Sequence, residues 1–180
     1  MKWGINVLFD EANLANDLSF LDSCKNANLP FIRASFEPGF RSFSTVADAI
    51  KKLGMKAYII PCAVANAADS DPVYLEIKNN ISTMVSRYAA ICTAFQADTV
   101  LGVGLPEGLH YIVKTTAQAK FGLRRSDVIK QIEQITRTIR LSGHRVILPV
   151  RQDDAEGGVW PLDFDVYDVE TMISPKLLDM

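Results

Sequence analysis

The sequence predicts an α/β protein in which helices and strands alternate around a mainly parallel sheet, on three observations. Six short apolar runs, at 5–9, 31–34, 57–60, 99–103, 146–150 and 164–169, each break at a polar, acidic, Pro or Gly residue. Stretches with apolar residues at helical spacing lie between them. The 180 residues are 48% hydrophobic, enough to fill one ordinary core. Strands joined through helices run parallel, and parallel sheets carry their binding groups at the carboxyl ends of the strands.

After the first run, Asn13 or Asn16 can cap a helix that carries Leu14, Leu18 and Leu21 and ends near Asn26. Pro30 opens the second strand, where a missing amide is tolerated. A loop at 37–42 leads to Ser44, an expected N-cap for a helix over 45–53, and Gly54 stops that helix. The third strand ends at Pro61-Cys62. A long helix then carries Ile77, Ile81, Met84, Val85, Tyr88 and Ile91 on one stripe that should pack on the sheet. The fourth strand runs into Gly104-Leu105-Pro106-Glu107-Gly108-Leu109-His110, a tightly shaped turn. A further helix is expected over 111–120 and another over 128–139, closed by Gly143. The fifth strand, a loop at 153–158 and the sixth strand follow, and Pro175 limits the last segment. No linker or second domain is evident, so 1–180 reads as one α/β domain.

Composition bounds the function. A formal net charge of −2 gives no general attraction for phosphate backbones or anionic lipid, so nucleic acid is not an expected partner. No apolar run approaches bilayer-spanning length, and the amino terminus lacks the pattern of a signal peptide. Cys24, Cys62 and Cys92 are odd in number and set among apolar neighbours, the pattern of buried free thiols in a reducing compartment. A cytoplasmic protein with no membrane association is expected.

The strand ends gather polar groups: Asp10 and Glu11, then Glu37, then Cys62 and Asn66. Glu107 and His110 follow the fourth strand, Arg151, Asp153 and Asp154 the fifth, and Asp168 and Glu170 close the sixth. Carboxylates on one rim can serve as acid and base. Glu107 stands out because Pro106 and Gly108 fix it directly after a buried strand, and His110 lies three residues on. His144, between Gly143 and Arg145, reads as a surface residue before a strand. Gly102-Val103-Gly104 with Gly108 has the wrong spacing for a dinucleotide loop, and the sequence calls for neither a cofactor nor a metal.

The order of Phe20-Leu21 through Pro30-Phe31-Ile32-Arg33, followed by the segment 49–60, resembles the opening of a clan-A glycoside hydrolase barrel. Val85-Ser86-Arg87-Tyr88 ahead of the segment 99–107 is similar to the helix and fourth strand of that clan. The resemblance implies a TIM-barrel-like fold and assigns the general acid/base to Glu107. The turn here reads Leu105-Pro106-Glu107-Gly108, without the Asn that normally precedes that acid. The clan's nucleophile follows a seventh strand and has no identifiable counterpart here, whereas a retaining glycosidase sets two carboxyls about 5 Å apart.

The expected fold is therefore a shortened TIM-barrel-like sheet of five or six strands, or alternatively an open doubly wound one, since a full barrel takes about 250 residues. The expected function is binding of a carbohydrate or other small polar ligand at the strand-end rim. Glu107 is the catalytic candidate, and Glu37, His110, Asp168 and Glu170 are the candidate ligand-binding residues. The alternative is a non-catalytic interaction protein that keeps the scaffold and self-assembles. In either case a homo-oligomer is expected, because open sheet edges call for a cover.

Overall fold

The computed structural model describes residues 4–37, 39–61, 81–105, 125–151 and 166–170. Six strands form one sheet: β1 Gly4–Phe9, β2 Phe31–Phe36, β3 Lys56–Ile60, β4 Val100–Gly104, β5 Val146–Arg151 and β6 Val166–Glu170. Four helices are described: α1 Leu14–Asn26, α2 Phe43–Lys52, α3 Ile81–Ala94 and α4 Arg125–Leu141. A 3-10 turn at Glu11–Asn13 leads into α1.

Every neighbouring pair of strands is parallel, and their order in the sheet is their order in the sequence, β1-β2-β3-β4-β5-β6. A doubly wound sheet reverses its strand order at a switch point. No reversal occurs here, so the doubly wound alternative is set aside and the winding is that of a barrel. A sheet wound in one direction carries its connecting helices on one face.

The two faces differ in chemistry. Ile5, Val7 and Phe9 on β1 stand in register with Ile32, Ala34 and Phe36 on β2, and Ala57 and Ile59 on β3 continue two of these rows. These residues join Leu21 and Cys24 of α1, Val46 and Ile50 of α2, Met84, Tyr88 and Ile91 of α3, and Ile132, Ile135 and Ile139 of α4 in one core. The opposite, concave face carries Asn6, Arg33 and Tyr58 in one register row. A separate buried cluster of Tyr58, Ile60 and Ile147 lies on that face.

Gly102 and Gly104 make this second cluster possible. A Cβ at Gly102 would lie 2.5 Å from Ile147 Cδ1, and one at Gly104 would overlap Ile60 Cδ1. Ile60 and Ile147 thus reach over β4 from the strands on either side. The Gly-Val-Gly segment lies inside a strand and has a packing role. Leu101 is the extra residue at a register shift between β3 and β4, and it is 44% exposed.

Helix boundaries differ from expectation in ways that have local causes. α2 begins at Phe43 with Ser42 as its N-cap, two residues ahead of Ser44, and Glu11 from another loop holds the entry to the helix by accepting the amides of Arg41 and Ser42. α4 begins at Arg125, ahead of the expected 128. Gly54 and Gly143 end α2 and α4 with φ of 63° and 78°, the left-handed geometry that closes a helix. The expected helix over 111–120 and the beginning of the stripe at Ile77 lie outside the described residues.

Candidate functional site

The carboxyl ends of the six parallel strands form one rim, and its foundation is aromatic. Phe36, the last residue of β2, has ring centroids of Phe40, Phe43, Phe9 and Phe95 at 5.0, 5.1, 5.5 and 6.0 Å. Such a cluster packs the loop after β2 down onto the core. Phe40 closes the loop by donating its amide to the Glu37 carbonyl at 2.9 Å.

Two consecutive residues of α3 then tie three strand ends together. The Arg87 guanidinium donates from Nη2 to the carbonyls of Glu37 at 2.7 Å and Pro61 at 3.2 Å, just past β2 and β3. It also stands 5.8 Å over the Phe43 ring. Tyr88, fully buried, donates its hydroxyl to the Gly104 carbonyl at 2.9 Å, at the end of β4. Adjacent helix residues point about 100° apart, so one helix can clasp both sides of the β3 end. The Arg-Tyr pair was legible as a motif, but its partners were not.

The rim acids divide by what their side chains do. Asp10 accepts the amide of Ala12 at 3.1 Å and the Asn13 side-chain amide at 2.9 Å, so it caps the 3-10 turn. Glu11 accepts the backbone amides of Arg41 at 3.0 Å and Ser42 at 3.3 Å and the Ser42 hydroxyl. The Arg41 amide first, and then the Ser42 hydroxyl, hold its carboxyl below the usual range, against a smaller opposing effect of desolvation. Both acids are committed to building loops. Glu37 is half-buried, its amide donates to the Phe9 carbonyl at 3.0 Å, and its carboxylate has no hydrogen-bond partner among the described residues.

Asp168 and Glu170 stand on β6 in register with Pro149 and Arg151 of β5. They follow the same strand direction as Glu37 and so belong to the same rim, four strands away in the sheet order. Glu107, His110, Cys62, Asn66, Asp153 and Asp154 lie outside the described residues. Among the described residues no group of three His, Cys, Asp or Glu side chains is placed to hold a metal ion.

On the concave face below the rim, Ser35 donates its hydroxyl to Asn6 Oδ1 at 3.2 Å, and the Arg33 guanidinium stands 6.0 Å from the Tyr58 ring centroid. Sequence reasoning passed over this polar row, although period-two alternation in β1 and β2 marks it.

The reading of His144 as a surface residue is corrected. It is 6% exposed, and its Nε2 lies 2.6 Å from the Phe95 carbonyl at the end of α3. A partner 49 residues away leaves no local trace in the sequence. Cys24 and Cys92 are buried free thiols, as expected, and burial pushes the Cys92 thiol up to about 11.

No family model matches the chain, and no curated protein matches it. A solved structure, an AP endonuclease of family 2 from Brucella melitensis, superposes with a TM-score of 0.55 at 14% sequence identity, covering 99% of this chain and 74% of that one. At that identity the likeness speaks to the fold and not to clan-A glycosidases in particular. No described helix is long and apolar enough to cross a membrane. The comparison and the sequential parallel sheet agree on one conclusion: the chain has an α/β, TIM-barrel-like fold.

Proposed function

We propose that the protein binds a small polar ligand, such as a carbohydrate, at the carboxyl-end rim, with Glu37 as a binding carboxylate and Glu107 as acid/base. The observation that carries this reading is the Arg87–Tyr88 clasp, which fixes the ends of β2, β3 and β4 relative to one another. A site that must hold a ligand in one geometry needs a rim whose strand ends do not drift. Tyr88 grips the Gly104 carbonyl, three residues before Glu107, so the clasp anchors the chain that delivers the acid. His110, Asp168 and Glu170 complete the proposed ligand set. The endonuclease activity in the neighbour's name is not adopted, since a net charge of −2 gives no general attraction for a phosphate backbone.

The test is a panel of aryl glycosides and free sugars assayed with the wild-type protein and Glu107→Gln. Turnover that disappears in Glu107→Gln at an unchanged melting temperature is the expected result. Absence of both turnover and saturable sugar binding would refute the reading.

A second reading, self-assembly, is favoured by β1. This strand pairs with β2 on one side and has no partner on the other among the described residues, and its Leu8 is 53% exposed. Open edges and exposed apolar side chains are commonly covered by a second copy. A homo-oligomer is expected under this reading, with residues of β6 and of the segments on either side of it, including Phe164, Val166, Met172, Ile173, Leu177 and Leu178, in the contact. Light scattering at micromolar concentration decides it, and a strictly monomeric mass would exclude it.

A further inference from the structure

Over β3, β4 and β5 the concave face is closed by Tyr58, Ile60 and Ile147, but over β1 it carries side chains that water reaches. Asn6 is exposed in the middle of β1, a position where asparagine is disfavoured. It is held there from the neighbouring strand. Ser35, 5% exposed, donates its hydroxyl to Asn6 Oδ1 at 3.2 Å. With Oδ1 engaged, the end of the amide left to a ligand is Nδ2, whose two N–H groups have no hydrogen-bond partner among the described residues. A buried hydroxyl that fixes an exposed amide presets a donor. Leu8 follows on the same face, 53% exposed and in register with Ser35. Glu37 continues the ladder above it, since its amide donates to the Phe9 carbonyl. Asn6 is in register with Arg33, so the rows of Asn6 and Glu37 are four residues apart, about 13 Å along the strands.

We infer that the site continues from the rim down β1 and takes a ligand of two joined sugar units, the second lying on Leu8 and accepting a hydrogen bond from Asn6 Nδ2. This rests on the rim reading, in which the Glu37 carboxylate binds the first unit. One sugar ring is too short to meet both Glu37 and Asn6, whereas two joined rings match their separation. Leu8, between the two rows, offers carbon to the C–H face of a ring, as apolar linings of polar sites do. Asn6 is the specificity-determining residue for the second unit. Ser35 touches no ligand and is a positioning residue that sets which end of the amide faces the lumen.

Glucose and its dimer cellobiose are the probes. Isotope-labelled protein, with the Asn6 side-chain amide signals assigned by their loss in Asn6→Val, is titrated with each sugar. Cellobiose should move the Asn6 signals saturably and bind about tenfold more tightly than glucose, the factor expected for one added hydrogen bond. Asn6→Val should bring cellobiose down to the affinity of glucose. Leu8→Ser, a change at an exposed position, should lower the ratio of the two affinities as well, so a failure of Asn6→Val to fold does not spare the inference. Ser35→Ala should shift the Asn6 amide signals of the free protein and reduce the same ratio, whereas a merely structural effect would weaken both sugars alike. Cellobiose no tighter than glucose, Asn6 signals that cellobiose leaves unmoved, or undiminished cellobiose binding in Asn6→Val would each overturn the inference and leave the rim reading standing. Absence of saturable binding of either sugar would overturn both.

Discussion

Gly104→Ala tests whether the concave face is packed as described. The new methyl group would overlap Ile60 Cδ1 and would sit 3.2 Å from the Ile59 carbonyl oxygen and 3.6 Å from Ile60 Cγ1. Ile60 is fully buried, so its Cδ1 has to move against Tyr58 and Ile147. Overpacking of this kind costs roughly 1–3 kcal/mol, and the reduced freedom of the unfolded chain returns about 0.4–1 kcal/mol. The net expectation is a loss of about 1–2 kcal/mol. Ile60→Val alone deletes Cδ1 and costs about 0.5–1.5 kcal/mol. In the double variant the methyl of Ala occupies space that Cδ1 vacated, and the nearest remaining Ile60 carbon, Cγ1, is at ordinary contact distance. The double variant is therefore expected to be no less stable than Ile60→Val by itself, a favourable coupling of about 1 kcal/mol or more. Urea unfolding of all four proteins measures the cycle. Losses that add to within about 0.5 kcal/mol would mean that the two side chains do not meet, and would refute the register of β3 against β4.

Three further outcomes follow from the rim and the core. Tyr88→Phe leaves the Gly104 carbonyl without its 2.9 Å hydroxyl donor and should cost about 1–2 kcal/mol in urea unfolding, with little change in the slope. Glu11 has a folded-state carboxyl held below its ordinary value of 4.5, so its contribution to stability is present above that pH and is lost as pH falls through the folded value. Glu11→Gln should flatten the acid limb of the stability profile, and an unchanged limb would argue against the hold of Glu11 on the Arg41-Ser42 entry to α2. Cys92 shifts the opposite way: its thiol rises from 9.0 to about 11, so stability is full below about pH 9 and falls between that pH and about 11. Cys92→Ala should remove this alkaline loss from thermal unfolding curves.

What was legible in the sequence is what local pattern encodes. The strands of a parallel sheet are buried between layers and read as apolar runs, which is why 31–34 and 57–60 fall inside β2 and β3. Gly54 and Gly143 mark helix ends because their positive φ is a local requirement. The rest depends on partners distant in the chain. Ser44 looked like a cap, yet the carboxylate that holds the start of α2 comes from Glu11, 31 residues before Ser42. The spacing of Gly102 and Gly104 speaks against a dinucleotide loop, but the space that Ile60 and Ile147 need above them leaves no mark in the local sequence. Asp10 and Glu11 had the same claim as Glu37 to a rim site, and only their hydrogen bonds remove them.

The packing of the concave face indicates where a rim ligand would approach. Over β3, β4 and β5 that face is closed, because Tyr58, Ile60 and Ile147 meet above the two glycines of β4. Over β1 it is open: Asn6 is exposed and Leu8 is 53% exposed. Ser35, which donates to Asn6, and Glu37, which bonds the end of β1, lie on the boundary between the two regions. A ligand entering over β1 would first meet an amide oxygen, a hydroxyl and an aliphatic side chain, and would find the Glu37 carboxylate at the strand ends above them. Polar groups beside one apolar surface suit a molecule with hydroxyls on one face and carbon on the other. The same opening carries the exposed Leu8 that favours self-assembly, so the two functional readings compete for one surface. If a second copy covers β1, the approach to Glu37 is closed in the oligomer, and ligand binding and association must oppose each other.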